Sequence, residues 1–193
     1  DTFRLQRRGG KGVTGVTTKE EDRVEHLFST TTHADLLFFT TRGRAFLLKA
    51  YDVPQGSRTA KGQAIVNFLQ LAPGERVSSI LPLDKFLSKK KTDVELVKYL
   101  LMVTSQGTIK KTSLEDFKNV RSNGLIAIKL HEGDDLKWVK PTSGEDEISL
   151  VTGNGQSIRF SEEDVRPMGR QAAGVRGIKL KKNAVVVGMD GIP

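Results

Sequence analysis

The stretch Leu100-Leu101-Met102-Val103-Thr104-Ser105-Gln106-Gly107-Thr108-Ile109-Lys110-Lys111-Thr112 holds two short runs hinged on Gln106-Gly107. Leu, Ile, Val and Thr suit a pleated, half-buried surface, and a polar residue followed by glycine between two such runs is a hairpin signal. The arrangement recurs around Arg42-Gly43-Arg44 and around Asn154-Gly155-Gln156. Each turn precedes a second glycine by 17 to 19 residues: Gly62, Gly124 and Gly174. With Gly12 these form a series spaced 50, 62 and 50 residues apart, and Gly12-Val13-Thr14-Gly15-Val16 resembles Gly174-Val175-Arg176-Gly177-Ile178. A fixed period of this size indicates repeated supersecondary units.

Each complete unit offers four apolar stretches. They are Leu36–Thr40, Ala45–Tyr51, Ala64–Leu71 and Val77–Leu83 in the second; Leu100–Thr104, Thr108–Thr112, Leu125–Leu130 and Leu136–Val139 in the third; and Ile148–Thr152, Ser157–Phe160, Gly177–Leu180 and Val185–Gly188 in the fourth. The first unit shows only two, around Gly12–Thr17 and Val24–Ser29. Four strands per 40–50 residues predicts an all-β, propeller-like fold of four-stranded blades. Only Thr17–Phe28 and Ser161–Val165 could form helical turns. The long middle spacing has a visible source in Asp84–Glu95, whose Ser88-Lys89-Lys90-Lys91-Thr92-Asp93 reads as a soluble loop inserted between units. The expected organisation is one domain over 1–193, with the end of a first blade at 1–35, and blades at 36–83, 96–143 and 145–193. An isolated blade leaves faces and edges uncovered, so about three and a half blades read as part of a larger ring.

Composition narrows the function. The 193 residues carry 31 Lys and Arg against 23 Asp and Glu, a net charge of +8, which favours a polyanionic partner. An apolar fraction of 37% is enough for a core, and the absence of cysteine excludes disulfides and thiolate chemistry. No run approaches membrane-spanning length and no signal-peptide core follows Asp1, so a cytoplasmic protein without membrane contact is expected.

The densest basic motif is Gln6-Arg7-Arg8-Gly9-Gly10-Lys11-Gly12, three cations interleaved with three glycines and no acid. Glycine allows close backbone approach, and Arg and Lys supply donors to phosphate. With no aromatic to stack on a base, contact independent of sequence is the natural reading. Weaker copies sit at the same offsets. Arg58 and Lys61 precede Gly62, Arg121 precedes Gly124, Arg170 precedes Gly174, and Arg176 follows it. A second series, Arg42, Arg44, Lys110, Lys111 and Arg159, lies on the hairpins, with Leu47 standing where Lys111 and Arg159 occur in the other units. Together these predict a basic rim suited to a phosphodiester backbone.

The heptapeptide resembles the gyrase A box, Q-[RK]-R-G-G-[RK]-G, at all seven positions. Thr32-His33, Leu36–Thr40, Gly43-Arg44, Ser57-Arg58, Val165–Arg170, Gly174–Ile178 and Val186–Asp190 resemble the C-terminal domain of DNA gyrase A subunits along nearly the whole chain. The resemblance implies a six-bladed β-pinwheel, in which neighbouring blades exchange strands, wrapping duplex DNA with a fixed hand so that the parent type II topoisomerase introduces negative supercoils. It implies a non-catalytic domain without a cofactor of its own. ATP and Mg are expected elsewhere in an A2B2 assembly with the B subunit, and a further partner is the breakage–reunion domain of the same polypeptide. The equivalent domain of topoisomerase IV, used for decatenation, is the alternative within the fold, and the intact box weighs against it. A propeller serving as a protein-interaction scaffold is the alternative outside it, disfavoured by only 6% aromatic residues.

Other motifs carry less. Gly10-Lys11-Gly12-Val13-Thr14-Gly15 fits G-x-G-x-x-G, but no strand–turn–helix surrounds it, and no Walker A sequence is present. His26, His33 and His131 lack the spacing of metal ligands. Tyr51, Tyr99 and Trp138 lie in strand-like runs and read as packing residues, not as a covalent DNA-linking tyrosine.

Overall fold

A tight hairpin loop needs one residue in the left-handed region, where a side chain is strained and glycine is not. In the computed structural model, which describes residues 6–12, 24–57, 60–83, 97–120 and 123–192, Gly43, Gly107 and Gly155 fill that role with φ of +72°, +78° and +80°. A threonine three residues earlier closes each loop twice. The carbonyls of Thr40, Thr104 and Thr152 accept the glycine N–H at 2.9, 3.1 and 3.0 Å. Their hydroxyls, buried in all three, accept the next N–H, from Arg44, Thr108 and Gln156, at 3.2, 3.1 and 3.0 Å.

These loops join β1 (Asp35–Thr40) to β2 (Arg44–Lys49), β4 (Tyr99–Thr104) to β5 (Thr108–Ser113), and β8 (Glu147–Thr152) to β9 (Ser157–Ser161). The remaining strands are β3 (Val77–Pro82), β6 (Leu125–Ile126), β7 (Leu136–Thr142), β10 (Val175–Arg176) and β11 (Val186–Ile192). They make three antiparallel sheets in the orders β3-β1-β2-β6, β10-β5-β4-β7 and β11-β8-β9. The first sheet therefore takes its fourth strand from beyond the second hairpin, and the second sheet takes its fourth from beyond the third. Neighbouring units exchange strands, as a pinwheel requires. Each exchange is pinned at a hairpin glycine: the carbonyl of Gly43 accepts the Ala127 N–H at 2.8 Å, and that of Gly107 accepts the Gly177 N–H at 2.8 Å.

Successive side chains on a strand face opposite sides, and in β1 and β4 both sides are apolar. Leu100 and Met102 of β4 join Leu37 and Phe39 of β1 in one buried cluster, where Phe39 meets Phe117 edge-on at 5.6 Å between centroids. Leu101 and Val103 point the other way, into a cluster with Ile148 and Leu150 of β8. The sheets are thus stacked, and the middle one is covered on both faces. Each such side chain contributes about 1.5–3 kcal/mol by leaving water. One edge of each sheet packs on the next: β7 lies against both β3 and β11, and the Val139 N–H donates to Ser79 Oγ at 3.1 Å. The exchanged strands β6 and β10 form the opposite edges.

Several sequence expectations need correction. Ala64–Leu71 is not a strand; Ile65–Asn67 is a 3-10 turn, and Val66 is exposed. Its counterparts in the series, Ile128 and Ile178, are buried because each covers a hairpin glycine; among the described residues no such hairpin lies over Val66. The strand in the fourth unit is Val175–Arg176, ahead of the expected Gly177–Leu180. Val24–Ser29 is neither strand nor helix. The rest of Thr17–Phe28, the Gly12–Thr17 stretch beyond Gly12 and the inserted loop from Asp84 lie outside the described residues. The turn expected at Ser161–Val165 is a 3-10 turn, Glu162–Asp164, with Ser161 Oγ accepting the Glu163 N–H. Tyr51 is in a 3-10 turn, Ala50–Asp52, not a strand, and its exposed ring is edge-on to His33.

Candidate nucleic-acid interface

The heptapeptide folds back on itself. The Arg7 carbonyl accepts the Gly10 N–H at 3.0 Å, and Gly9, third in this turn, has φ +84°, the conformation of a type II turn. Gly12, at φ +73°, donates its N–H to Gln6 Oε1 at 2.9 Å. All seven residues are exposed, and among the described residues Arg7, Arg8 and Lys11 enter no ion pair.

The other expected DNA contacts divide into three groups. Arg58 and Arg121 lie outside the described residues. Lys61, Arg42, Arg159 and Arg176 are exposed, and Arg170 is half-buried. Two of the exposed ones have internal partners: Arg42 donates to the Pro73 carbonyl at 2.6 Å, and Arg159 Nε to Glu147 Oε2 at 2.8 Å. Arg44 is more tightly held. It pairs with the buried carboxylate of Glu75, donates to the Gln70 carbonyl at 2.8 Å and stacks 4.8 Å over the Phe46 ring. Burial would raise the Glu75 pKa, but hydrogen bonds from Arg44, Thr40 and the Ala72 N–H outweigh it and bring it to about 2. Arg44 therefore neutralises an internal acid before it can meet a phosphate.

Lys110 and Lys111 do not line a rim. Both are buried, Lys110 completely. The Lys110 ammonium donates to the carbonyls of Ala127 and Arg170 at 2.7 and 2.5 Å. Burial pushes its pKa down to about 8, with the Arg170 charge adding and Asp116 opposing. Lys111 Nζ donates to the Glu162 carbonyl at 2.9 Å and lies 5.1 Å from the Tyr99 ring centroid. A lysine in a strand reads as solvated, but these two leave β5 on opposite faces and each is covered: Lys110 by the segment after β6 and the basic loop, Lys111 by the turn after β9.

Those bonds serve the basic loop before Gly174. The Met168 N–H donates to the Lys111 carbonyl at 2.8 Å, and the Lys129 N–H to the Ala172 carbonyl at 3.2 Å. The loop is laid along β5 and against the segment after β6. Beside it, Thr108 of β5 faces Arg176 of β10 across the ladder. A cleft of about 540 Å³ opens there, lined by Gln106, Thr108, His131, Arg176 and Lys179 and by no carboxylate. The sequence reading missed Lys179 and His131. Lys179 was legible in the alternation Ile178-Lys179-Leu180, while His131 is far in sequence from the hairpin it joins. No group of three or more His, Asp or Glu that could hold a metal occurs among the described residues, nor is any described helix long and apolar enough to cross a membrane.

The family model of the DNA gyrase C-terminal domain, beta-propeller, matches residues 1–31, 34–84, 98–143 and 146–192. The DNA gyrase A protein of Clostridium acetobutylicum is 48% identical over 92% of this chain, and that of Mycolicibacterium smegmatis is 44% identical over 95%. The chain spans only 20% and 21% of their lengths. Among solved structures, the C-terminal domain of DNA topoisomerase IV superposes with a TM-score of 0.79 at 31% identity, over 93% of this chain and 53% of that one. A DNA gyrase A C-terminal domain gives 0.64 at 24% identity, over 98% and 58%, and that likeness speaks for the fold alone. With its repeats, exchanged strands and box matched over nearly its full length, the chain belongs to the DNA gyrase C-terminal domain family.

Proposed function

We propose that this chain binds duplex DNA by its phosphates and wraps it without reading its sequence, as the non-catalytic C-terminal part of a gyrase A protein. The observation that carries the reading is the box: an intact heptapeptide, closed on itself, holding three exposed cations free of ion pairs among the described residues. Phosphate contact by such a loop needs no base edge, so affinity is electrostatic and tolerant of sequence. Bending ~20–30 bp by 40–90° costs roughly 1–6 kcal/mol, so one site cannot sustain a wrap. Lys61, Arg170 and Arg176 at the series glycines, with Lys179 in the adjoining cleft, extend the attraction along the chain. The units around these loops act as blades of a single ring. The partners this reading requires are duplex DNA, the breakage–reunion domain of the same polypeptide and the gyrase B protein, with ATP and Mg handled outside this chain.

A mobility-shift series at several salt concentrations tests it. Duplexes of unrelated sequence should bind alike, with log K falling against log[salt] by about 0.9 per phosphate neutralised. Salt-independent binding to one sequence would refute it. The topoisomerase IV reading draws on the 0.79 superposition; a reconstituted enzyme that relaxes DNA without net negative supercoiling would select it.

A further inference from the structure

We infer that Gln6 is a positioning residue of the box: its side-chain amide, and not charge alone, fixes Arg7, Arg8 and Lys11 in the geometry that meets phosphates. The inference rests on the DNA-binding reading above and says which residue gives the loop its shape. Three glycines and one glutamine each meet a different requirement. Gly9 holds the left-handed corner of the Arg7–Gly10 turn. Gly12 takes a second left-handed corner, and its N–H is capped by Gln6 Oε1 at 2.9 Å across six residues. Gly10 lies under that same amide: a Cβ there would be 2.7 Å from Gln6 Oε1 and 3.2 Å from the Arg7 carbonyl. Positions 9 and 12 have open space where a Cβ would point, so their demand is conformational. Position 10 alone is steric, and the atom it must avoid is the one that caps Gly12.

Gln6 thus closes a ring containing all three cations. A loop ordered before binding does not lose that freedom when DNA arrives. It also holds the three charges at fixed separations, as a backbone of regularly spaced phosphates requires. Without the cap the charges remain but their spacing is free.

The test compares variants of equal net charge in the 193-residue chain. Gln6→Met keeps the length and removes the acceptor. Gly10→Ala drives a methyl into the amide. Each should weaken duplex binding roughly three- to tenfold, the worth of one hydrogen bond and its ordering, and each should make the salt slope shallower by about one phosphate's share. Since both act on the same contact, the double variant should lose little more than either alone. Gln6→Glu changes the net charge and serves only a second readout: it retains an acceptor, so hydrogen exchange at the Gly12 N–H should be slower in it and in the parent than in Gln6→Met. Binding and slope unchanged in Gln6→Met, while Arg7, Arg8 and Lys11→Ala destroys binding, would show that the box acts by charge alone and overturn the inference. If that triple variant also binds as the parent does, the DNA reading of the box itself fails. The thermal midpoint should not move in any of them, because the loop is exposed.

Discussion

The side-chain ammonium of Lys110 and the main-chain carbonyl of Arg170, sixty residues apart, are joined by a 2.5 Å hydrogen bond that ties one unit's hairpin to the next unit's basic loop. A second N–H of the same ammonium is given to the Ala127 carbonyl. A neutral amine still carries two N–H groups, so both bonds survive deprotonation. What changes with pH is the cost of enclosing a charge.

That cost has a definite sign. Burial, aided by Arg170 and opposed by Asp116, holds Lys110 near 8, against an ordinary 10.5. Between those values the unfolded chain binds more protons than the folded one, so stability should rise with pH across about 8 to 10.5, by at most about 3 kcal/mol. Below 8 this contribution is flat. Urea midpoints at several pH values should show the rise in the parent and its absence in Lys110→Met. An identical alkaline limb in the variant would mean that another group is responsible.

Glu75 gives the opposite limb. Its folded pKa of about 2, set by Arg44, Thr40 and the Ala72 N–H against the burial penalty, lies below the ordinary 4.5. The stabilisation is complete above 4.5 and is lost as pH falls from there toward 2. Glu75→Gln should flatten acid unfolding over that window. Arg44→Ala should cost roughly 1–3 kcal/mol, because the buried Glu75 carboxylate then keeps only the Thr40 and Ala72 donors, yet leave the salt slope of DNA binding unchanged once the fold is restored by lower temperature. A shallower slope would show that Arg44 meets phosphate after all.

Much of this fold is written in the chain, and the exceptions have a common cause. The hairpins of β1–β2, β4–β5 and β8–β9 follow from strand-forming runs broken by a turn glycine, which are local signals. Strand exchange is not local. Nor is the packing of one unit on the next that covers Lys110 and Lys111; β6 and β10 are only two residues long, and Ile65–Asn67 lies outside any ladder. No periodicity within one unit can report that the next unit covers it. The box behaves differently: its residue types and spacing were legible, while the division of labour between Gln6 and its glycines depends on a bond spanning six positions.

The hairpin glycines rank by what lies above them. A Cβ on Gly43 would be 2.6 Å from the Ile128 carbonyl, and one on Gly107 would be 2.8 Å from the Ile178 side chain, whereas Gly155 has open space. All three share a positive φ, which costs an alanine roughly 1–2 kcal/mol. Gly155→Ala should cost only that. Gly107→Ala should cost more, and Gly43→Ala most, since a main-chain carbonyl cannot rotate away as a side chain can. Equal losses in urea denaturation would mean that the exchanged segments yield freely at these contacts.

The consequence for the whole enzyme follows from where the cations are. If Arg7, Arg8 and Lys11 hold DNA against this domain and take no part in breaking it, then replacing all three by alanine in the full-length polypeptide, reconstituted with the gyrase B protein, should separate two activities. On the proposed reading, negative supercoiling depends on the wrap and should be abolished. On the same reading, relaxation and DNA cleavage depend only on the breakage–reunion domain and should persist near parental levels. Binding by the isolated variant chain should weaken in parallel, because each lost phosphate contact removes about 0.9 from the salt slope. Loss of cleavage together with supercoiling would place the box in the chemistry of strand passage, where an exposed glycine-rich loop without an acid, a metal ligand or a nucleophile has nothing to contribute.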